Sequence, residues 1–170
     1  MDIRLATPAD APSIVALNED VQKLHAAALP HLFKPPSPAT FPLPEVMDLL
    51  ANSANYFYLA EVEREPVGYI YAEIRDQPEN SFRYAVRFIH IHHISIRPAY
   101  RQRGYGECLV RQVLALAQEK GLSRITLDVW SFNTPARDFF HKQGFEVYNQ
   151  RLWMNLPVEE QAAPEELAAL

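Results

Sequence analysis

Ile94-Ser95-Ile96-Arg97-Pro98-Ala99-Tyr100-Arg101-Gln102-Arg103-Gly104-Tyr105-Gly106 decides how this chain is read. It starts as an alternating strand, passes a polar turn, and enters a helix running from Gly104 to about Lys120. The chain has only five glycines, and two of them, Gly104 and Gly106, stand one residue apart at this junction. Backbone N–H groups in the first turn of a helix lack intrahelical acceptors and carry partial positive charge, so they bind phosphate. Glycine lets a pyrophosphate come close without a Cβ in the way. Arg101 and Arg103 add fixed charge; a glycine turn with solvated arginines is the plain alternative. A Walker loop requires Lys-Ser/Thr where the chain has Glu107-Cys108, and a dinucleotide fingerprint requires a third glycine where it has Leu109.

Upstream, residues 84–96 read as a strand whose phase changes. Ile89 and Ile91 are apolar at odd positions, Ile94 and Ile96 at even ones. Side chains alternate strictly along a strand, so the change predicts a β-bulge near His92-His93. On plain alternation His90 and His92 share a face and His93 points the other way. Two further apolar runs, 56–62 and 67–74, flank a turn at residues 63–66 and predict a hairpin. Residues 2–6 alternate as a short strand. Thr7-Pro8-Ala9-Asp10 then opens a helix to about Ala27, with Ile14, Leu17, Val21 and Leu24 at helical spacing. Six prolines in residues 30–44 predict an extended surface loop, either a substrate lid or a rigid connector, and a second helix runs from about Pro44 to Asn52. Downstream of the junction, residues 125–130 read as a strand, 133–143 as a short helix and 145–156 as a last strand. The order predicts a mixed α/β domain rather than a regular βαβ array.

Composition bounds the rest. A chain of 170 residues is one domain's worth, placed here at residues 1–156 with a tail of Ala and Glu at 157–170. The hydrophobic share of 48% and charged share of 22% are those of a globular chain. A net charge of −5 argues against a nucleic-acid partner and is compatible with a cationic substrate. One cysteine excludes an internal disulfide. No apolar run approaches the roughly 20 residues of a bilayer crossing, so a cytoplasmic setting without a membrane partner is expected.

The glycine junction resembles the acyl-CoA-binding motif of the GNAT superfamily of N-acetyltransferases, Arg/Gln-x-x-Gly-x-Gly/Ala after a strand, at Arg101-Gln102-Arg103-Gly104-Tyr105-Gly106. Asn133-x-x-Ala136 followed by Phe140 and Gly144-Phe145 resembles a second motif of the family at family spacing. Together with the element order, the resemblance covers about residues 2–156. It implies a mixed, mostly antiparallel central sheet flanked by helices, and acetyl-CoA as cosubstrate without a metal. It implies that the amides from Arg103 through Gly104, Tyr105 and Gly106 to Glu107 cradle the CoA pyrophosphate, with Arg101, Gln102 and Ser95 in the same binding segment. Main-chain groups of Ile94 and Ile96 would pair with the pantetheine arm, and Asn133 and Phe140 would face the cofactor. Many members carry a tyrosine at the position of Phe140 to protonate the departing thiolate. A phenylalanine cannot do so, which leaves a water, a nearby tyrosine or an unassisted leaving group. It also keeps open the alternative of a catalytically weak acyl-CoA-binding regulatory module.

Acetyl transfer needs a neutral amine, and an alkylamine of pKa about 10.4 is almost wholly protonated at pH 7. A base near pKa 7 is therefore useful, and histidine sits at about 6.5. His90-x-His92 resembles the paired-histidine strand of serotonin N-acetyltransferase, which implies a water-relayed proton path. Either histidine is a candidate base, Glu73 is the next candidate, and two ordinary strand histidines are the bland reading. The pair would also supply two zinc ligands, but no third is evident. Tyr71, Tyr84, Asp128 and Trp130 are candidates to line an amine pocket, with His25 and His31 beside the proline loop after them. The acceptor is expected to be a primary amine, small molecule or peptide, and a homodimer is compatible with the reading.

Overall fold

Glu63 and Arg64 set the geometry of the sheet. Both have positive φ, 52° and 70°. A two-residue turn of that hand matches the twist of antiparallel strands, so it joins β2 (Asn55–Val62) and β3 (Glu65–Gln77) as a tight hairpin. The computed structural model describes residues 2–156, and the tail expected at 157–170 lies outside them. Five strands stand in the order β1-β2-β3-β4-β5, with β1 at Asp2–Leu5, β4 at Val86–Ile96 and β5 at Ile125–Leu127. The first four pair antiparallel; β4 and β5 pair parallel.

Period-two alternation sorts the strand residues between two helical layers. Ile70, Ala72, Ile74, Ile89 and Ile91 pack with Leu109, Val110, Val113 and Leu116 of α3 (Tyr105–Glu119) and with Phe140 of α4 (Thr134–Lys142). Phe57, Leu59, Tyr69 and Tyr71 face the other way, onto Ile14 and Leu17 of α1 (Ala11–Ala28) and Val46 of α2 (Leu43–Ala51). Pro8–Asp10 forms a single 3-10 turn before α1, where the Thr7 amide donates to Asp10 at 2.7 Å. Arg4 ties Asp10 at 2.7 Å and Glu61 at 2.6 Å, joining that turn to β2. The proline-rich segment is an irregular connector between α1 and α2, anchored by buried Phe41.

The isoleucine phase change is a bulge. Tyr71 pairs with His93 and Ala72 with Ile91, which leaves His92 as the extra residue. All four isoleucines thereby face α3. The bulge also turns His93 to the α1 side, against the reading from plain alternation. Its ring lies 5.3 Å from Phe41 and 5.8 Å from Tyr71.

Two expected strands differ. The one read at 125–130 stops at Leu127, and residues 145–156 form no strand. Alternation supplies only propensity; a strand also needs an edge to pair with, and three-residue β5 offers little. Tyr148, Leu152 and Met154 stay 81–87% exposed.

Gly68, within the apolar run read at 67–74, lies buried inside β3 opposite Ile96. A Cβ there would sit 2.6 Å from the Ser95 carbonyl oxygen and run into the Ile96 side chain. Gly68→Ala should therefore cost about 1–3 kcal/mol, as overpacking does. Urea unfolding checks this, and an unchanged midpoint would show that β3 and β4 separate there without strain.

Candidate functional site

The sheet forks next to the bulge. β4 and β5 share three rungs, Ile89 with Ile125, His90 with Thr126 and Ile91 with Leu127. His92 follows the last rung. Ile94, Ser95 and Ile96 have β3 on one side and, among the described residues, no strand on the other. The Ser95 hydroxyl is buried and donates to the Leu17 carbonyl at 2.7 Å, so this residue offers the fork only its main chain.

The helix start beyond the fork is shaped by backbone conformation. Gly104 caps α3 with φ +83°, and Gln102 also has positive φ, 60°. The amides of Gly104, Tyr105, Gly106 and Glu107 have no acceptor four residues back. Among the described residues no atom lies within 4 Å of where a Gly104 Cβ would stand, so the approach is open; a Gly106 Cβ would touch the Phe139 ring at 3.2 Å. A phosphate fits this arrangement. Arg101 bonds the Ile96 carbonyl at 2.9 Å, and Arg103 lies 5.6 Å over the Tyr100 ring. Asn133 caps α4 by accepting from the Ala136 amide at 3.3 Å. Phe140, expected beside the cofactor, is buried between Phe139 and Phe145, and its neighbour Phe139 is the ring against Gly106.

Three candidate residues converge on the α1 side of the bulge. His92 Nε2 donates to Glu73 Oε2 at 2.7 Å, which leaves Nδ1 as the free acceptor. Its ring stacks on Tyr71 at 4.5 Å and meets His90 edge-on at 4.8 Å. His90 Nδ1 lies 2.9 Å from Thr126 Oγ1. Burial would raise the Glu73 pKa, but hydrogen bonds from Arg75 and His92 outweigh it and hold the carboxyl below its usual range. Both histidines fall below their usual value. For His90 the cause is burial, then the nearby His92 and Arg75; for His92 it is burial, against which the Glu73 bond acts. The imidazoles are therefore neutral at pH 7.

The amine-pocket candidates divide. Tyr71 is a platform under His92 rather than a free wall, with its hydroxyl on Asn55 at 3.2 Å. Tyr84 lies beyond the Gln77–Val86 rung, 88% exposed, and does not join the cluster. Asp128 is exposed but acts on the charge of both His90 and His92. Trp130 belongs to an aromatic group with Phe33, Phe132 and Trp153. Sequence reading missed Arg75, Thr126 and Phe139. The register of the paired strands places the first two, but that register becomes known only with the fold. Among the described residues no group of three or more His, Cys, Asp or Glu side chains is arranged to hold a metal, and no helix is long and apolar enough to cross a membrane.

Behind the cluster, His93 is buried and accepts from Tyr69 at 3.2 Å, whose oxygen accepts from Asn18 at 2.8 Å. Burial, then the nearby His92 and His25, pushes the His93 pKa down to about 4. The unfolded chain takes up this proton near 6.5, the folded chain only near 4. Stability is thus complete above about pH 6.5 and is lost as pH falls toward 4, by about 3 kcal/mol from this residue. Unfolding at both pH values, wild type against His93→Gln, should show the flatter profile in the variant; parallel profiles would mean that His93 is not held neutral.

The sequence profile of the acetyltransferase (GNAT) family matches residues 20–145. An uncharacterised N-acetyltransferase of Lactobacillus delbrueckii subsp. lactis is 25% identical over 109 residues, 62% of this chain and 60% of that protein. The chain spans 60% or less of the length of the curated relatives it matches. The fold is similar to that of a tetramutant of the BH1408 protein from Bacillus halodurans, with a TM-score of 0.87 at 20% identity over 92% of this chain and all of that one. It is also similar to the aminoglycoside N-acetyltransferase AAC(6')-Iy in complex with CoA, with a TM-score of 0.69 at 17% identity over 92% and 100%.

Proposed function

Because the chain belongs to the acetyltransferase (GNAT) family, we propose that it is an acetyl-CoA-dependent N-acetyltransferase acting on a primary amine. The observation that carries this is the fork between β4 and β5, with an open glycine helix start on one side and the His92–Glu73 pair on the other. The similar fold of an acetyltransferase seen with CoA supports the acyl-CoA part.

When bound, acetyl-CoA supplies the activated acetyl group. Amides from Arg103 to Glu107 hold its pyrophosphate at the positive end of α3. The free edge of Ile94–Ile96 receives the pantetheine arm as an added strand would be received. His92 Nδ1 takes a proton from the ammonium, directly or through one water, and the neutral amine is then the nucleophile. Glu73 holds the ring in one tautomer and stabilises the imidazolium that forms, as a carboxylate behind a catalytic histidine does. His90 lies close enough to hold the same water. Phe140 has no proton to give, so the thiolate takes one from water or from the imidazolium.

Free CoA thiol, measured on adding acetyl-CoA and a panel of primary amines, tests this. Amine-dependent thiol release with acetylated product is expected. Tight acetyl-CoA binding without turnover on any amine would leave an acyl-CoA-binding module instead.

A further inference from the structure

Six rings from four segments of the chain close on one another past the end of β5. Phe33 of the proline-rich connector meets Trp130 edge-to-face at 5.1 Å. His25, in the last turn of α1, lies 4.9 Å from Phe33 and 5.6 Å from Phe132. Phe132 lies 6.3 Å from Trp130 and nearly parallel to it, and Trp153 stands 6.2 Å from both Trp130 and His31. This group is not core. Trp130 is 37% and Trp153 59% exposed, so ring surface stands open to solvent.

The group shares α1 and the end of β5 with the His92 cluster. α1, which supplies His25, packs on the same side of the sheet as His92, His93 and Glu73. Thr126 is level with His90, and Trp130 follows four residues later, at most about 14 Å along the chain. Asp128 lies between them, and Glu73 at the near end. Aromatic faces are negative and attract ammonium groups. Glu73 is already paired with Arg75, so the carboxylate of Asp128, leading to open rings on a chain of net charge −5, is what complements a cation rather than a neutral aryl group.

We propose that these rings form a cation box for the distal ammonium of the acceptor, which is a linear diamine or polyamine with its reacting amine at His92. The proposal rests on the acetyl-transfer reading above and names the substrate class for that site.

The chain's two tryptophans both belong to the box, so intrinsic fluorescence reports on it directly. Diaminooctane should change that fluorescence saturably at concentrations where the uncharged 1-octanol and 3-phenylpropanol do not. In turnover, diaminooctane should exceed n-octylamine about tenfold in kcat/KM, from two or more ring contacts. Phe33→Leu, which keeps both tryptophans, should lower this preference about two- to fivefold, and Phe33→Tyr should keep most of it. An equal fluorescence response to the diamine and the two alcohols, or a diamine preference in turnover untouched by Phe33→Leu, would overturn the box. Turnover of n-octylamine without diamine preference removes the box and leaves acetyl transfer standing. Diamine-selective fluorescence without turnover of any amine keeps the cation box and removes the transfer reading.

Discussion

Replacing His90 and His92 together by glutamine is expected to lower kcat/KM for amine acetylation by roughly 10²–10⁴-fold, the range that a lost general base covers. Glutamine keeps hydrogen-bonding capacity and removes the titratable lone pair. In the wild type the base works when neutral, so activity falls as pH drops through its pKa. Burial depresses both imidazoles, which places that acidic limb below about 6.5. The double variant should lose the limb. His92→Gln alone should cost more than His90→Gln, because only His92 bonds a carboxylate. Glu73→Gln sharpens the test: the Glu73 bond raises the His92 pKa, so its removal should move the limb to lower pH. Acetyl-CoA affinity should not change, since the helix start of α3 is untouched. A double variant with wild-type rate and pH profile would end the histidine mechanism.

The sequence made the phosphate-binding turn and the bulge legible because each follows from a local rule. Glycine scarcity makes Gly104 and Gly106 informative, and strict alternation makes a phase change between Ile91 and Ile94 impossible without an extra residue. The helices were legible for the same reason, within one or two residues of their ends except at the start of α1, where Pro8–Asp10 forms a separate 3-10 turn. What was not legible depends on partners distant in sequence. Whether His92 bonds Glu73 is decided by the register of β3 on β4, and the bulge itself reset the direction of His93. Residues 145–156 carry a strand pattern, but pairing is a property of the neighbouring edge and not of the segment. The aromatic box draws on residues from His25 to Trp153; Trp130, His25 and His31 stood out as pocket candidates beforehand, whereas Phe33, Phe132 and Trp153 did not.

Gly104→Val should weaken acetyl-CoA by on the order of 10²-fold or more in calorimetry while the protein still folds. The two effects separate because of how Gly104 is placed. Its φ of +83° is one that a β-branched residue resists, at about 1–3 kcal/mol. No atom of the described residues lies within 4 Å of the new Cβ, so the packed interior does not object. The strain is relieved by turning the cap, and turning the cap re-aims the amides of residues 105–107. Each hydrogen bond lost to a charged pyrophosphate is worth about 1.5–3 kcal/mol, so two suffice for the expected loss. The isopropyl group also stands in the open approach. Gly104→Ala isolates the first cause, since it keeps most of the φ penalty with little bulk, and should fall between wild type and Gly104→Val. Gly106→Val is a poorer probe, because its Cβ would press on Phe139 and disturb α4 as well. Circular dichroism fixes the folded fraction in each case. A folded Gly104→Val that binds acetyl-CoA as the wild type does would remove the pyrophosphate from the α3 helix start, and with it the reason for placing the pantetheine arm along Ile94–Ile96.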